Sequence, residues 1–453
     1  MLEWLQQEMR EERELWLQEW KKLLSFPSIR VEKERQEDLL ACAEWVEREL
    51  SQMGFYTERW GDEAPILFGE YQAMDPYQPT LLIYNHYDVQ PVDPIELWRT
   101  PPFEAVELQG QVYARGAQDN KGQLFYVLQA LKRWIRKKGT LPIHVKVCIE
   151  GEEEAGSSHL LQLLESKKEQ LKADYLLIVD TGLADGKTPA MTLGVRGLVS
   201  WDVEVECARC DLHSGMHGGL ALNPIQILVE LLASCKNSEG RVLLPGFYPE
   251  REPSFADFPA LSTQFDPFAY EKETGIPPVG GERALPPLLR AWLRPTFEIN
   301  GICGGYNGPG LKTVIPAKAS AKVSCRLIPG QDPEQIGHTL FQWIRERAPK
   351  ESIVSVVPHE GGGKALWLQP GSDLVKACSV GLKELFQKSP DLLFCGASIP
   401  VAAALAEVSG AETLFIGLGL PEDQIHAPNE HFGIDRVEKG TFWIASILQE
   451  LQQ

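Results

Sequence analysis

Five short polar segments carry the side chains best suited to chemistry. NHYDVQP (85–91) holds His86 and Asp88, and VYARGAQDNKG (112–122) sets Asp119 just ahead of an apolar-periodic stretch. EGEEEAGSS (150–158) supplies Glu152, Glu153 and Glu154, YLLIVD (175–180) ends on Asp180, and IHAPNEHF (425–432) contains His426. Imidazole nitrogens and carboxylate oxygens are ligands for zinc, manganese or cobalt. A carboxylate beside such an ion can also act as a general base. Each segment alone has an ordinary explanation. A His after a strand is a surface or cap residue, and an Asp before a helix is an N-cap. A Glu run is a solvated turn. Their joint occurrence at the ends of successive elements is what points to a metal-dependent hydrolase.

The elements that must position them alternate. TLLIYN (80–85), IHVKVCIE (143–150) and YLLIVD (175–180) read as buried strands. Between them lie two helical stretches. One has Leu124, Val127, Leu128, Leu131 and Ile135 on one face; the other is SSHLLQLLESKKEQLK. Buried strands separated by helices predict an α/β domain with a mostly parallel sheet, whose ligands gather at the carboxyl edge. After residue 193 the texture changes. LVSWDVEVE (198–206) and AKASAKVSCRL (317–327) alternate like half-exposed antiparallel strands. Helices are expected from Asn223-Pro224 and from Asp332-Pro333, with residues 240–312 irregular. From 367 the α/β texture returns, with helices from about 371 and over SIPVAAALAEVSG, the strand ETLFIGLG and a closing helix over 435–452. The expected fold is therefore a discontinuous α/β catalytic domain, residues 1–193 and 367–453. An α+β lid and dimerisation domain with an antiparallel sheet, residues 194–366, is inserted into it.

The composition narrows the partners. The 453 residues carry a formal net charge of −19, which argues against nucleic acid or an anionic membrane as a partner. No window approaches the ~20 apolar residues of a membrane span. The first 24 residues read as one amphipathic helix rather than a signal peptide. Nine scattered cysteines fit free thiols in a reducing cytoplasm, and Cys207 with Cys210 lacks a second pair at zinc spacing.

Further segments carry a resemblance: WRTPPFE (98–104), GVRGL (194–198), DLHSGMHGG (211–219), GLKTVIP (310–316), CRLIPG (325–330) and GASIP (396–400). In this order, with the five above, the whole chain resembles the co-catalytic di-metal peptidases related to carboxypeptidase G, aminoacylase and succinyl-diaminopimelate desuccinylase. Within them it looks most like the carnosinase and cytosolic non-specific dipeptidase branch. The resemblance implies two divalent metal ions per subunit, zinc foremost, with manganese or cobalt as substitutes. His86, Asp119 and Asp180 would hold one, and Asp119, Glu154 and His426 the other, Asp119 bridging. Asp88 would orient His86, and Glu153 would be the general base for a water between the metals. The Asp119–Asn120 peptide would be cis. In a homodimer, His213 would reach the partner subunit's site to stabilise an oxyanion. Arg326 would bind the substrate's terminal carboxylate, with Thr313 and Ser398 as lesser contacts. Glu152 receives no role, and His144, His159, His217, His338, His359 and His431 are read as structural.

The sequence departs from the family's pattern in places. Asn120 stands where relatives commonly have Asp, and QPGS (369–372) replaces a His-Pro-x-Tyr-like segment, which bears on substrate preference. The implied function is a cytoplasmic, homodimeric metallo-dipeptidase acting on small peptides. The alternatives are an N-acyl-amino-acid amidohydrolase or desuccinylase, and a non-catalytic peptide-binding paralogue, against which the intact ligand set and Glu153 weigh.

Overall fold

The computed structural model of the protein describes residues 2–183, 185–250, 265–359 and 361–452. The chain forms two compact units. One comprises Met1–Leu193, Leu368–Leu393 and Ala404–Gln453; the other comprises Gly194–Trp367 and Phe394–Ala403.

The first unit is built on a twisted sheet whose centre is parallel. The strands His144–Glu150, Thr80–His86, Tyr175–Val179 and Glu412–Ile416 lie side by side in that order, all parallel. Their apolar runs are buried on both faces, from Leu81 to Tyr84, Leu176 to Val179 and Leu414 to Ile416, as a sheet covered by helices requires. Ile66–Tyr71 and then Tyr56–Trp60 extend one edge antiparallel. Ala190–Val195 meets Glu412–Ile416 antiparallel on the other side.

Helix Lys121–Lys138 packs against helix Ile434–Leu451, which packs in turn against Asp373–Phe386. The first contact is close because position 440 is glycine: a Cβ there would lie 2.5 Å from the Tyr126 ring. Trp16 and Trp20 cover Phe125 with ring centroids 6.4 and 6.2 Å apart. The amphipathic segment expected as one helix is two, Glu3–Glu11 and Arg13–Leu24. They part at Glu12, whose carboxylate accepts from Arg133 at 2.9 Å and Arg136 at 2.8 Å.

The second unit holds a four-stranded antiparallel sheet, in the order Thr296–Gly304, Lys318–Leu327, Gly197–Glu206, Ile353–Pro358. Alternation does what the sequence predicts here. Val199, Trp201, Val203 and Val205 face the core with Ala319, Ala321, Val323 and Cys325, against Leu228, Leu232, Leu340 and Ile344 of two helices. Those helices begin as read. Asn223 accepts from the Ile225 N–H ahead of Pro224–Ala233, and Asp332 accepts from the Gln335 N–H ahead of Pro333–Arg347. The 240–312 stretch is less irregular than expected. Its described residues include helices Pro267–Thr274 and Pro287–Leu293 and the edge strand Thr296–Gly304, while 251–264 lie outside the described residues. A small ribbon pairs Leu212–His213 with Val314–Ile315.

Candidate metal centre

The parallel strands deliver their polar ends to one place in the first unit. His86 closes its strand, Asp180 follows Val179, and Glu153 and Glu154 lie in the turn after Glu150. Asp119 precedes helix Lys121–Lys138, and His426 lies in the loop after Glu412–Ile416.

The distances are short. Nε2 of buried His86 lies 3.1 Å from Oδ1 of Asp119 and 3.7 Å from Oδ1 of Asp180. Oδ2 of Asp119 lies 2.9 Å from Nε2 of His426, which is 3.1 Å from Oε1 of Glu154. Two groups result, His86–Asp119–Asp180 and Asp119–Glu154–His426, each with donor atoms within 4.8 Å of one another and Asp119 common to both. Oε1 of Glu154 is buried, yet it lacks an aligned hydrogen-bond donor. A carboxylate oxygen in that state, within reach of an imidazole and a second carboxylate, fits a cation as its partner.

Neighbouring groups fix each of these side chains. Nδ1 of His86 lies 3.1 Å from the Asp88 carbonyl and 3.3 Å from its Oδ1. The Asp88 carboxylate also accepts the N–H groups of Glu153 at 3.2 Å and Glu154 at 3.0 Å. One buried carboxylate thus sets both the His86 ring and the glutamate turn. The Asp119–Asn120 peptide is cis, and Asn120 donates to Oδ1 of Asp180 at 2.7 Å.

Three neighbours escaped the sequence reading. Gln90 donates to Oε2 of Glu154 at 2.7 Å. Buried Glu430 accepts from the N–H groups of Gly116, Gln118 and Asp119 at 2.9–3.0 Å and from Arg115 at 2.8 Å. The available signal was their presence inside NHYDVQP, IHAPNEHF and VYARGAQDNKG. Glu152 has its own partners: Oε1 lies 3.6 Å from Arg30, and Oε2 accepts from the His159 N–H at 3.2 Å.

Glu153 lines a cleft of about 430 Å³ with Asp119, Asp180 and His426. Burial, then the negative charges of Asp180, Glu154 and Asp119, raise its pKa to about 8 against the pull of His86. Burial foremost, with Asp119, likewise lifts Asp180 to about 6. The hydrogen bond to Asp119, then the nearby Glu154 carboxylate, raise His426 to about 10. Burial would lower His86, but Asp180, Asp119 and Asp88 hold it well above the usual range. So much negative charge in one place favours bound cations, whether protons or metal.

The remaining predicted residues form two pairs in the second unit. His213 accepts the Gly215 N–H on Nδ1 at 3.1 Å, which leaves Nε2, 3.4 Å from Thr313 Oγ1, as the protonated nitrogen. Arg326 donates to Ser398 Oγ at 2.8 Å. Among the other histidines, His359 pairs with Asp202 at 2.8 Å and His431 stacks on Tyr113 with ring centroids 4.7 Å apart.

The likeness to known proteins runs through the chain. It is 31% identical over 397 residues to human Beta-Ala-His dipeptidase, covering 86% of this chain and 78% of that protein. It is 30% identical over 459 residues to the Cys-Gly metallodipeptidase dug1 of Schizosaccharomyces pombe, covering 94% of each. Among solved structures, the M20 family metallo-carboxypeptidase Sso-CP2 of Sulfolobus solfataricus superposes with a TM-score of 0.79 at 29% identity, covering 96% of this chain and 99% of that one. Residues 82–450 match Peptidase family M20/M25/M40, and with the carboxylates and imidazoles gathered as they are, the chain belongs to that family, a peptide-bond hydrolase that uses divalent metal.

Proposed function

We propose that the protein is a di-metal dipeptidase, zinc-loaded, homodimeric and cytoplasmic. The observation that carries this reading is the pair of His/carboxylate groups sharing Asp119, with Glu153 beside them in the cleft. His86, Asp119 and Asp180 would hold one ion, and Asp119, Glu154 and His426 the other. Bound there, the ions would polarise the scissile carbonyl and acidify a water. Everything else falls to side chains. Glu153 takes the proton from the attacking water and passes it to the leaving amine. Asp88 keeps the His86 ring and the 153–154 turn in register. His213, whose Nε2 carries the proton, donates to the oxygen that gains charge, and Thr313 orients it. Arg326, steadied by Ser398, binds the terminal carboxylate. In this reading residues 1–193 and 367–453 form the catalytic domain and 194–366 the lid and dimerisation domain. The likeness to proteins named as dipeptidases from human and fission yeast supports the substrate class.

A panel tests it: dipeptides, tripeptides, N-acetyl and N-succinyl amino acids, each assayed before and after exhaustive chelation and zinc return. Dipeptides should be cleaved fastest, and only with metal. Preferred cleavage of acyl amino acids would replace the dipeptidase reading. Full activity after verified metal removal would overturn the metal centre. The likeness to a metallo-carboxypeptidase makes the tripeptide arm informative.

A further inference from the structure

The GVRGL motif contains an arginine that none of these roles uses. Arg196 is half-buried, and its contacts converge on one turn. Its backbone N–H reaches the carbonyls of Cys395 at 3.3 Å and Ala397 at 3.1 Å. Its Nε donates to the Gly396 carbonyl at 2.9 Å, and Nη1 to the Arg294 carbonyl at 3.2 Å. One residue on, the same turn presents Ser398, whose Oγ accepts from Arg326 at 2.8 Å. Leu198 stands directly opposite Arg326 in the sheet, so Arg196 enters the same corner two residues earlier. The turn is tailored to it: a Cβ on Gly396 would lie 3.1 Å from Nη2 of Arg196 and 2.7 Å from the Ala291 carbonyl.

Both guanidiniums are bound by neutral oxygens. Among the described residues neither makes an ion pair. Two cations in one half-buried corner repel unless an anion joins them. The repulsion registers: burial first, and then the charge of Arg326, push the Arg196 pKa down to about 10, with Cys395 and then Glu298 opposing more weakly. At neutral pH Arg196 remains charged.

We infer that Arg196 is a positioning and specificity residue of the substrate-carboxylate subsite, holding the Cys395–Ser398 turn against Arg326 and adding a second positive charge that selects a free, ionised C-terminal carboxylate. The inference rests on the dipeptidase reading, in which Arg326 receives that carboxylate. Arg196 touches the turn and acts on substrate through Arg326 and Ser398.

The test compares wild type, Arg196→Met, Arg196→Lys and Arg326→Ala. The substrates are the dipeptide best cleaved in the panel and its C-terminal amide. Arg196→Met should raise KM for the free acid about tenfold, the size of one partly screened charge interaction. Its kcat should stay within about twofold, and KM for the amide should be unmoved. Arg196→Lys restores the charge and should recover most of the preference. A merely structural arginine would lower Tm and affect acid and amide alike, and that outcome overturns the inference. So does an unchanged acid preference in Arg196→Met while Arg326→Ala loses it, which leaves the dipeptidase reading standing. Failure of both Arg196 variants to fold marks a fold-holding residue and also overturns it. A wild-type enzyme indifferent to amidation removes the role of Arg326, and that of Arg196 with it.

Discussion

Three consecutive glutamates sit in three different environments, which makes isosteric substitution along the run a stringent test of the site. Glu153 lines the cleft, and among the described residues its carboxylate has no hydrogen-bond donor. Glu153→Gln keeps shape and removes basicity. The turnover number should fall by ~10²–10⁴, or about 3–5 kcal/mol of barrier, the usual worth of a positioned base, with metal content unchanged. Glu154 is held by Gln90 at 2.7 Å and faces His426 at 3.1 Å. Glu154→Gln removes the charge from a proposed ligand position, so metal affinity should fall by more than about 100-fold, since disturbing even the groups behind a ligand costs 10–100-fold. Glu152 meets Arg30 at 3.6 Å, beyond hydrogen-bond range, and the His159 N–H can be accepted equally well by an amide oxygen. Glu152→Gln should cost at most about 1 kcal/mol of stability, and kcat should stay near wild type. Steady-state kinetics, elemental analysis of the desalted protein and urea melts on the three variants measure all of this. An inactive Glu152→Gln beside a metal-depleted Glu153→Gln would show that the assigned register is off by one residue.

Other perturbations test other links. Mixing inactive Glu153→Gln with inactive His213→Ala should regain part of the activity through hybrid dimers; no recovery despite demonstrated subunit exchange rules out action in trans. Asp423 is fully buried and grips Arg436 at 2.5 and 2.6 Å. Asp423→Ala strands that guanidinium and should cost ~3–5 kcal/mol in denaturant unfolding, whereas a loss under 1 kcal/mol would mean that water or a neighbour compensates. Gly440→Ala should cost about 1–3 kcal/mol by overpacking Tyr126 across the helix contact; an unchanged Tm would show that the helices simply separate.

The polar strand ends were legible because each apolar run is short and ends abruptly, which places His86 and Asp180 on a sheet edge from pattern alone. The helix openings at Asn223-Pro224 and Asp332-Pro333 were legible because capping is local chemistry. What escaped depended on long-range partners or blurred patterns. The hairpin of Tyr56–Trp60 and Ile66–Tyr71 hid behind an exposed, charged first strand. Thr296–Gly304 contains two glycines, and its pairing shifts register after Ile299, which erases the alternation. Glu430 carries no local signal of its role, because the N–H groups it binds are more than 300 positions away.

That last arrangement bears on how the protein is made. The backbone N–H of Asp119 is tied by Glu430, and one side of its carboxylate meets His426, so the middle of the cluster is completed by a segment more than 300 positions further along the chain. Until the ribosome has passed residue 430, the emerging polypeptide holds its other acids without the imidazole and the buried clasp that complete their arrangement. In the proposed reading, the Asp119–Glu154–His426 group can form only after residue 426 has been translated, so a chain stopped earlier lacks one of the groups that would hold the second ion. A fragment ending at residue 410 should retain no stoichiometric zinc after desalting; retention equal to the full chain would show that the earlier segments assemble the cluster unaided.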